Sequence, residues 1–270
     1  MRRFLYPAIF FCMAQSIWAQ DGDFRLGARN AAMAGVSTTL EDGWAIHNNI
    51  AGIGRMDHSA ANITYQNRFN LSNFQVVGGS YVQHMHFGNA GIGFYRFGDD
   101  LYSQQKMTLG FANTIEMVSL GVAASIVQVS IEGIGTESAV VLEFGGVANI
   151  TEQLKFGAHV FNLNQADLAE NIPVSTVIKG GVAYLITKEL AINLEVQKDL
   201  DFEEIVRIGL EYEVIKNFWL RTGISTNPFR SAFGAAFHWK DFMLDYAFND
   251  QSDIGVIHEF SLGYQIRKRM

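Results

Sequence analysis

The sequence predicts an all-β protein, an antiparallel up-and-down transmembrane β-barrel of about 14 strands with a short N-terminal plug segment. Three observations carry that prediction. An export signal opens the chain, and no later apolar stretch approaches the roughly 18 residues of a membrane helix. Apolar and polar residues then alternate strictly through segment after segment, the period of a strand with two different faces. The segments are mostly ten residues or longer, against about 5–6 for a globular strand and about 9–11 for a tilted membrane-spanning one.

Residues 1–19 read as a secretory signal peptide. Arg2 and Arg3 give the positive start, an apolar run follows from Phe4, and Ala19 suits cleavage. Removing it takes away Cys12, the single cysteine, so no disulfide framework remains. The formal charge moves from -7 by two to -9, since Arg2 and Arg3 are its charged residues. No basic stripe appears, which excludes nucleic acid as a partner.

Residues 20–57 precede the first strand and do not alternate. Trp44, Ile46, Ile50 and Ile53 stand at near-helical spacing among Gly, Ala and Asn. A disordered lead would carry few apolar residues. This segment is expected to fold into the barrel as a plug, with its small residues permitting close backbone approach.

The barrel is expected over residues 58–270, with strands near 58–66, 72–87, 89–98, 102–113, 116–130, 136–148, 152–163, 174–187, 189–198, 203–215, 217–226, 230–239, 241–249 and 256–267. The even count is that of bacterial single-chain barrels. In 206–214, Val206, Ile208, Leu210, Tyr212 and Val214 share one face, and Arg207, Gly209, Glu211 and Glu213 the other. Short and longer connections also alternate, and Pro173 and Pro228 fall in the longer set, where no ladder bond is lost. Outward Leu, Ile, Val and Phe would meet outer-membrane lipid. Tyr212, Trp219, Trp239 and Tyr264 suit aromatic girdles. Glu195, Arg207, Glu211 and Arg221 fall on the polar faces, as candidate lumen charges that pair or line a polar path.

Few residues suggest chemistry. His84 and His86 have the spacing of two metal ligands, but no further ligand accompanies them, and they read as a strand-end pair rather than a metal site. Ser130, His159 and His238 offer hydrolase residue types that no spacing brings together. The chain is therefore read as non-enzymatic and without a cofactor.

The N-terminal segment carries an ordered set of signals: Gly27-Ala28-Arg29, Met33-Ala34-Gly35, Glu41-Asp42 before Trp44, and Asn49-Ile50-Ala51-Gly52-Ile53. In these residues the sequence resembles the PorV/PorQ group of outer-membrane proteins, within the FadL-like barrel superfamily. Ile50 departs from the pattern, standing where that group usually has Pro, while Asn49, Ala51 and Gly52 match. The resemblance implies a plug that obstructs the lumen, with Gly27, Arg29, Gly35, Asp42, Trp44, Asn49, Ala51 and Gly52 as its signature. It also implies an accessory role in type IX protein secretion or cargo surface attachment, with secretion-system components or exported cargo proteins as partners. The alternative is a FadL-like transporter whose partner is a hydrophobic small molecule. An apolar pocket at Trp44 and Ile50 would favour transport; a packed, charge-filled lumen would favour secretion.

Overall fold

In the computed structural model, which describes residues 24–170, 172–251 and 254–267, fourteen strands close an antiparallel barrel. The strands are β1 (Ser59–Arg68), β2 (Gln75–Met85), β3 (Gly88–Gly98), β4 (Tyr102–Ile115), β5 (Val118–Ile131), β6 (Gly135–Asn149), β7 (Leu154–Phe161), β10 (Val177–Leu185), β11 (Leu190–Asp199), β12 (Ile205–Ile215), β13 (Phe218–Ser225), β14 (Arg230–Trp239), β15 (Phe242–Gln251) and β16 (Gly255–Ile266). β1 pairs with β16 from Ser59↔Ile266 to Arg68↔Ile257, so the sheet has no free edge. Lipid offers no hydrogen-bond partners, and closure satisfies the backbone of every strand internally. The expected signal peptide, residues 1–19, lies outside the described residues.

β5 shows how the sequence enforces two environments. Val118, Leu120, Val122 and Ile126 are exposed on the outer face, while Ser119, Gly121, Ala123 and Ser125 point inward. The same parity turns Leu210, Tyr212, Phe260, Leu262 and Tyr264 outward and Glu211, Glu259 and Ser261 inward. One girdle expectation fails. Trp219 follows the parity of Arg221, not of Leu220, and its ring faces the lumen, 4.2 Å from the His238 ring. Trp239 does face outward, 58% exposed.

The strand ends lie within three residues of expectation, and β14 matches at both ends. β2, for instance, begins at Gln75 and ends at Met85, leaving His86 in the turn. The rim carrying Ser59 and Ile266 has short turns such as 86–87, 116–117, 216–217 and 240–241. The opposite rim has the longer loops. The longest, 162–176, contains a small hairpin, β8 (Asp167–Ala169) and β9 (Ile172–Pro173), that the sequence did not signal.

Inside the barrel, residues 24–56 form the plug, built on α1 (Ala28–Ala31), α2 (Ala45–Asn48) and a 3-10 helix, Ile50–Arg55. Leu26, Met33, Ile46 and Ile53 have no exposed surface. None of the three helices is long enough to be stable by itself; they exist because the lumen wall packs around them.

Candidate functional site: the plug and the lumen wall

The wall accommodates the plug through missing side chains. Four pairs of glycines stand opposite one another on neighbouring strands: Gly91↔Gly110, Gly121↔Gly145, Gly157↔Gly181 and Gly209↔Gly223. Each pair receives part of the plug. A methyl built on Gly91 would lie 3.0 Å from Ile46 Cδ1, and one on Gly110 would lie 2.5 Å from Ile50 Cδ1. One on Gly121 would come within 2.9 Å of the Ala51 backbone, and one on Gly145 would overlap the Asn49 side chain. Thr38 fills the third pair and Met33 the fourth. Doubled glycines along a strand have the same use: Gly78, Gly145 and Gly181 each turn toward the plug while their neighbours do not.

The signature residues of the N-terminal segment each hold a piece of this packing. Gly27, at φ 112°, lies under the Trp44 ring and donates its N–H to Glu259 Oε1 at 2.8 Å. Arg29 donates to both oxygens of Glu211, at 2.9 and 2.7 Å, and to Asp42 Oδ2 at 3.1 Å. Gly35, at φ 90°, accepts from Arg25 through its carbonyl at 2.8 Å. Asp42 Oδ1 accepts the Trp44 N–H at 2.9 Å, closing the turn into α2. Asn49 accepts from Ala51 N at 3.2 Å and donates to Thr38 O at 2.6 Å and Gly146 O at 3.2 Å. Ala51 O accepts from Ser119 Oγ at 2.6 Å, and a side chain on Gly52 would collide with Leu40 O. Ile50 opens the 3-10 helix, where Pro is tolerated because the first N–H has no helical partner. Its side chain is spent on Gly110 instead.

All four candidate lumen charges lie in the lumen and are paired. Arg207 donates to Glu195 Oε1 at 3.2 Å, and Glu195 Oε2 accepts the N–H groups of Ser37 and Thr38 at 2.8 Å each. Arg221 donates to Glu211 at 2.6 Å and to Asp245 at 2.5 Å. Arg29 thereby joins an Arg–Glu–Arg–Asp chain that ties the plug to β12, β13 and β15.

Other pairs were missed. Lys106 and His159 flank Glu143 at 2.7 and 3.2 Å, beneath Phe24 and Phe161. Lys155 and Arg55 flank Glu41 at 2.6 and 3.4 Å. Parity along β4, where Gln104, Lys106 and Thr108 precede Gly110, was the available signal. His159 and His238 are both in the lumen but in different clusters, and Ser130 pairs with Thr136 at 2.9 Å. His84 is bound to Asn89 Oδ1 at 2.9 Å.

Space remains at the short-turn rim. A cavity of about 210 Å³ runs between the plug and β10–β13, lined by Arg29, Glu41, Lys155, Lys188, Glu211 and Trp219 among others. A second, of about 170 Å³, shares Arg29, Glu211 and Trp219 with it and adds Trp44, Asn62, His238 and Met243. Ile50 reaches neither. Outside the lumen, His58 and Asp57 border a broad groove with His84 and Phe87. The 2.6 Å hydrogen bond from His58 holds the Asp57 carboxyl below its ordinary range.

No protein-family model matches the chain, and no curated protein sequence does. Solved structures match it in shape. The chain is similar to the Ralstonia pickettii toluene transporter TbuX, with a TM-score of 0.71 at 12% identity over 92% of this chain and 99% of that one. It is similar to the TodX monoaromatic hydrocarbon channel, as its deltaS2 mutant, with a TM-score of 0.69 at 11% identity over 89% and 97%. It is also similar to a Pseudomonas aeruginosa FadL homologue, with a TM-score of 0.65 at 11% identity over 90% and 100%. At these identities the likeness is one of fold: this is an outer-membrane-type β-barrel. Its architecture is similar to that of these three barrels, the FadL homologue among them.

Proposed function

We propose that the protein is an outer-membrane transport barrel for small hydrophobic molecules, in which the plug is the element that shifts to let them pass. The observation that carries this reading is the pair of adjoining cavities between plug and wall, contiguous at Arg29, Glu211 and Trp219, inside a FadL-like fold. The fold's neighbours include a toluene transporter and a monoaromatic hydrocarbon channel. The smaller cavity, about 170 Å³, has the scale of a single aromatic ring, since an apolar cavity of about 150 Å³ takes up benzene. Uptake of labelled toluene by a deletion strain, and by the same strain complemented, tests it. Faster entry on complementation supports the reading; equal rates in both count against it.

A second reading has its own observation. Plug side chains such as Leu26, Met33 and Ile53 fill much of the rest of the lumen, Glu143, Glu195, Glu211 and Asp245 are ion-paired there, and the longer loops, 162–176 apart, are only a few residues each. A sealed barrel suits the PorV/PorQ-like accessory role in type IX secretion or cargo attachment that the N-terminal segment implies. Short outer loops give little grip on a protein cargo and weigh against a shuttle. Quantitative comparison of the secreted and surface proteomes of a clean deletion strain and its parent tests this role. Cargo proteins with a shared C-terminal signal would accumulate in the periplasm.

A further inference from the structure

The smaller cavity is not lined as a pure hydrocarbon site would be. Arg29, Asp42, Glu211, Arg221 and Asp245 all border it. These five are satisfied by one another, at 2.5–3.1 Å, so they offer fixed polar walls rather than free charge. Apolar surface comes from Trp44, Trp219 and Met243.

Asn62 of β1 differs from its neighbours in this lining. It is 3% exposed, and its Nδ2 donates to Ser80 Oγ at 3.0 Å, but its Oδ1 is buried with no hydrogen-bond partner. A buried polar atom left unpaired costs about 1–3 kcal/mol, and such atoms call for an explanation. The position of this one supplies it. A methyl built on Gly263 would lie 2.7 Å from Asn62 Oδ1 and 2.7 Å from Met243 Cε. The bare Gly263 backbone therefore leaves a slot shared by an amide oxygen and the end of a methionine. Methionine has three rotatable bonds and adapts readily, so its methyl can leave the slot to an incoming group.

A hydroxyl fits there best. It both donates and accepts, so it satisfies the Asn62 amide whichever end is turned to the slot. Its attached ring would rest against the indoles.

We infer that this cavity is a binding site for a single aromatic ring carrying a hydroxyl group, a simple phenol. The ring packs against Trp44 and Trp219, and the hydroxyl meets the Asn62 amide in place of the Met243 methyl. The inference rests on the transport reading and sharpens it, from apolar rings in general to hydroxylated ones.

Titration calorimetry of the full barrel in detergent, with micelle blanks, tests it with p-cresol and toluene, which differ by the hydroxyl. Asn62→Leu is expected to weaken p-cresol binding about five-fold, the scale of one net hydrogen bond, and to leave toluene within about two-fold. Comparing each ring with itself across variants removes their unequal partition into micelles. Asn62→Ala serves if Asn62→Leu gives no heat-modifiable barrel. Trp219→Leu is expected to weaken both rings. If Asn62 variants change the two affinities by the same factor, or Trp219→Leu changes neither, the phenol assignment falls and the transport reading stands. If the unmodified protein binds neither ring, the transport reading falls with it.

Discussion

Arg29 of the plug and Glu211 of the barrel wall meet side by side, with hydrogen bonds of 2.7 and 2.9 Å between residues 182 positions apart. Glu211 also accepts from Arg221 at 2.6 Å, so one carboxylate bridges two guanidinium groups, one on each side of the plug–wall boundary.

The two ends of that pair are not equivalent. Glu211→Ala leaves Arg29 with Asp42 and Arg221 with Asp245, and is expected to cost less than the about 3–5 kcal/mol of an uncompensated buried charge. Arg29→Ala leaves Asp42 without its cation and Arg221 shared by Glu211 and Asp245, and is expected to cost more. The temperature at which the folded gel band converts to the unfolded one ranks the two. Ion conductance in planar bilayers is expected to rise in both, because the side of the plug that borders the cavities loses its anchor.

Gly110→Leu tests whether the plug depends on bare wall backbone. The new side chain would enter the space of Ile50 and Ile46, whose ends lie 2.5 and 3.1 Å from a methyl at Gly110. Overpacking of this kind costs about 1–3 kcal/mol. The barrel is expected to remain heat-modifiable while protease cuts appear within residues 24–56. An uncut plug would show that the wall gives way instead.

Asn49→Ala removes a cap and two lumen hydrogen bonds at one stroke. The expected loss is about 1–2 kcal/mol for the cap and more for the orphaned carbonyls. Ile50→Pro at the next residue is expected to be the milder change, since it restores a residue that the start of the helix tolerates. Guanidinium unfolding in detergent compares them; a milder Asn49→Ala would contradict this account of the plug.

Single cysteines map the two rims. Cys12 is the chain's one native cysteine and falls in the expected signal peptide, so the exported chain offers no background. Ile134→Cys, at a tip 81% exposed in the longer-loop rim, is expected to react with an impermeant maleimide on intact cells. Asn217→Cys, in a short turn at the other rim, is expected to react only after the outer membrane is opened. The reverse pattern would invert the topology.

The barrel was legible in the sequence because lipid and lumen impose opposite demands on alternate residues. Parity in Val206–Val214 or Phe260–Ile266 needs no knowledge of what lies across the sheet. Glu195, Arg207, Glu211 and Arg221 could be placed on inward faces by the same rule. Trp219 was misplaced when its aromatic character was weighed above its parity with Arg221. Lys106 and Glu143 passed unnoticed, although alternation around Lys106 points the same way, and Glu41 was read as part of an acidic pair with no partner assigned.

What the sequence determined by itself was periodic: the strand count, the two faces, and an apolar N-terminal segment that had to be buried somewhere. What only the tertiary structure decided was partnership. Gly91 meets Gly110, Gly209 meets Gly223, and Arg29 reaches Glu211, because register and barrel closure bring distant strands beside one plug. A local pattern records the environment of each residue. Which charge neutralises which, and where an unpaired amide oxygen such as that of Asn62 borders a cavity, depends on long-range geometry that no local period encodes.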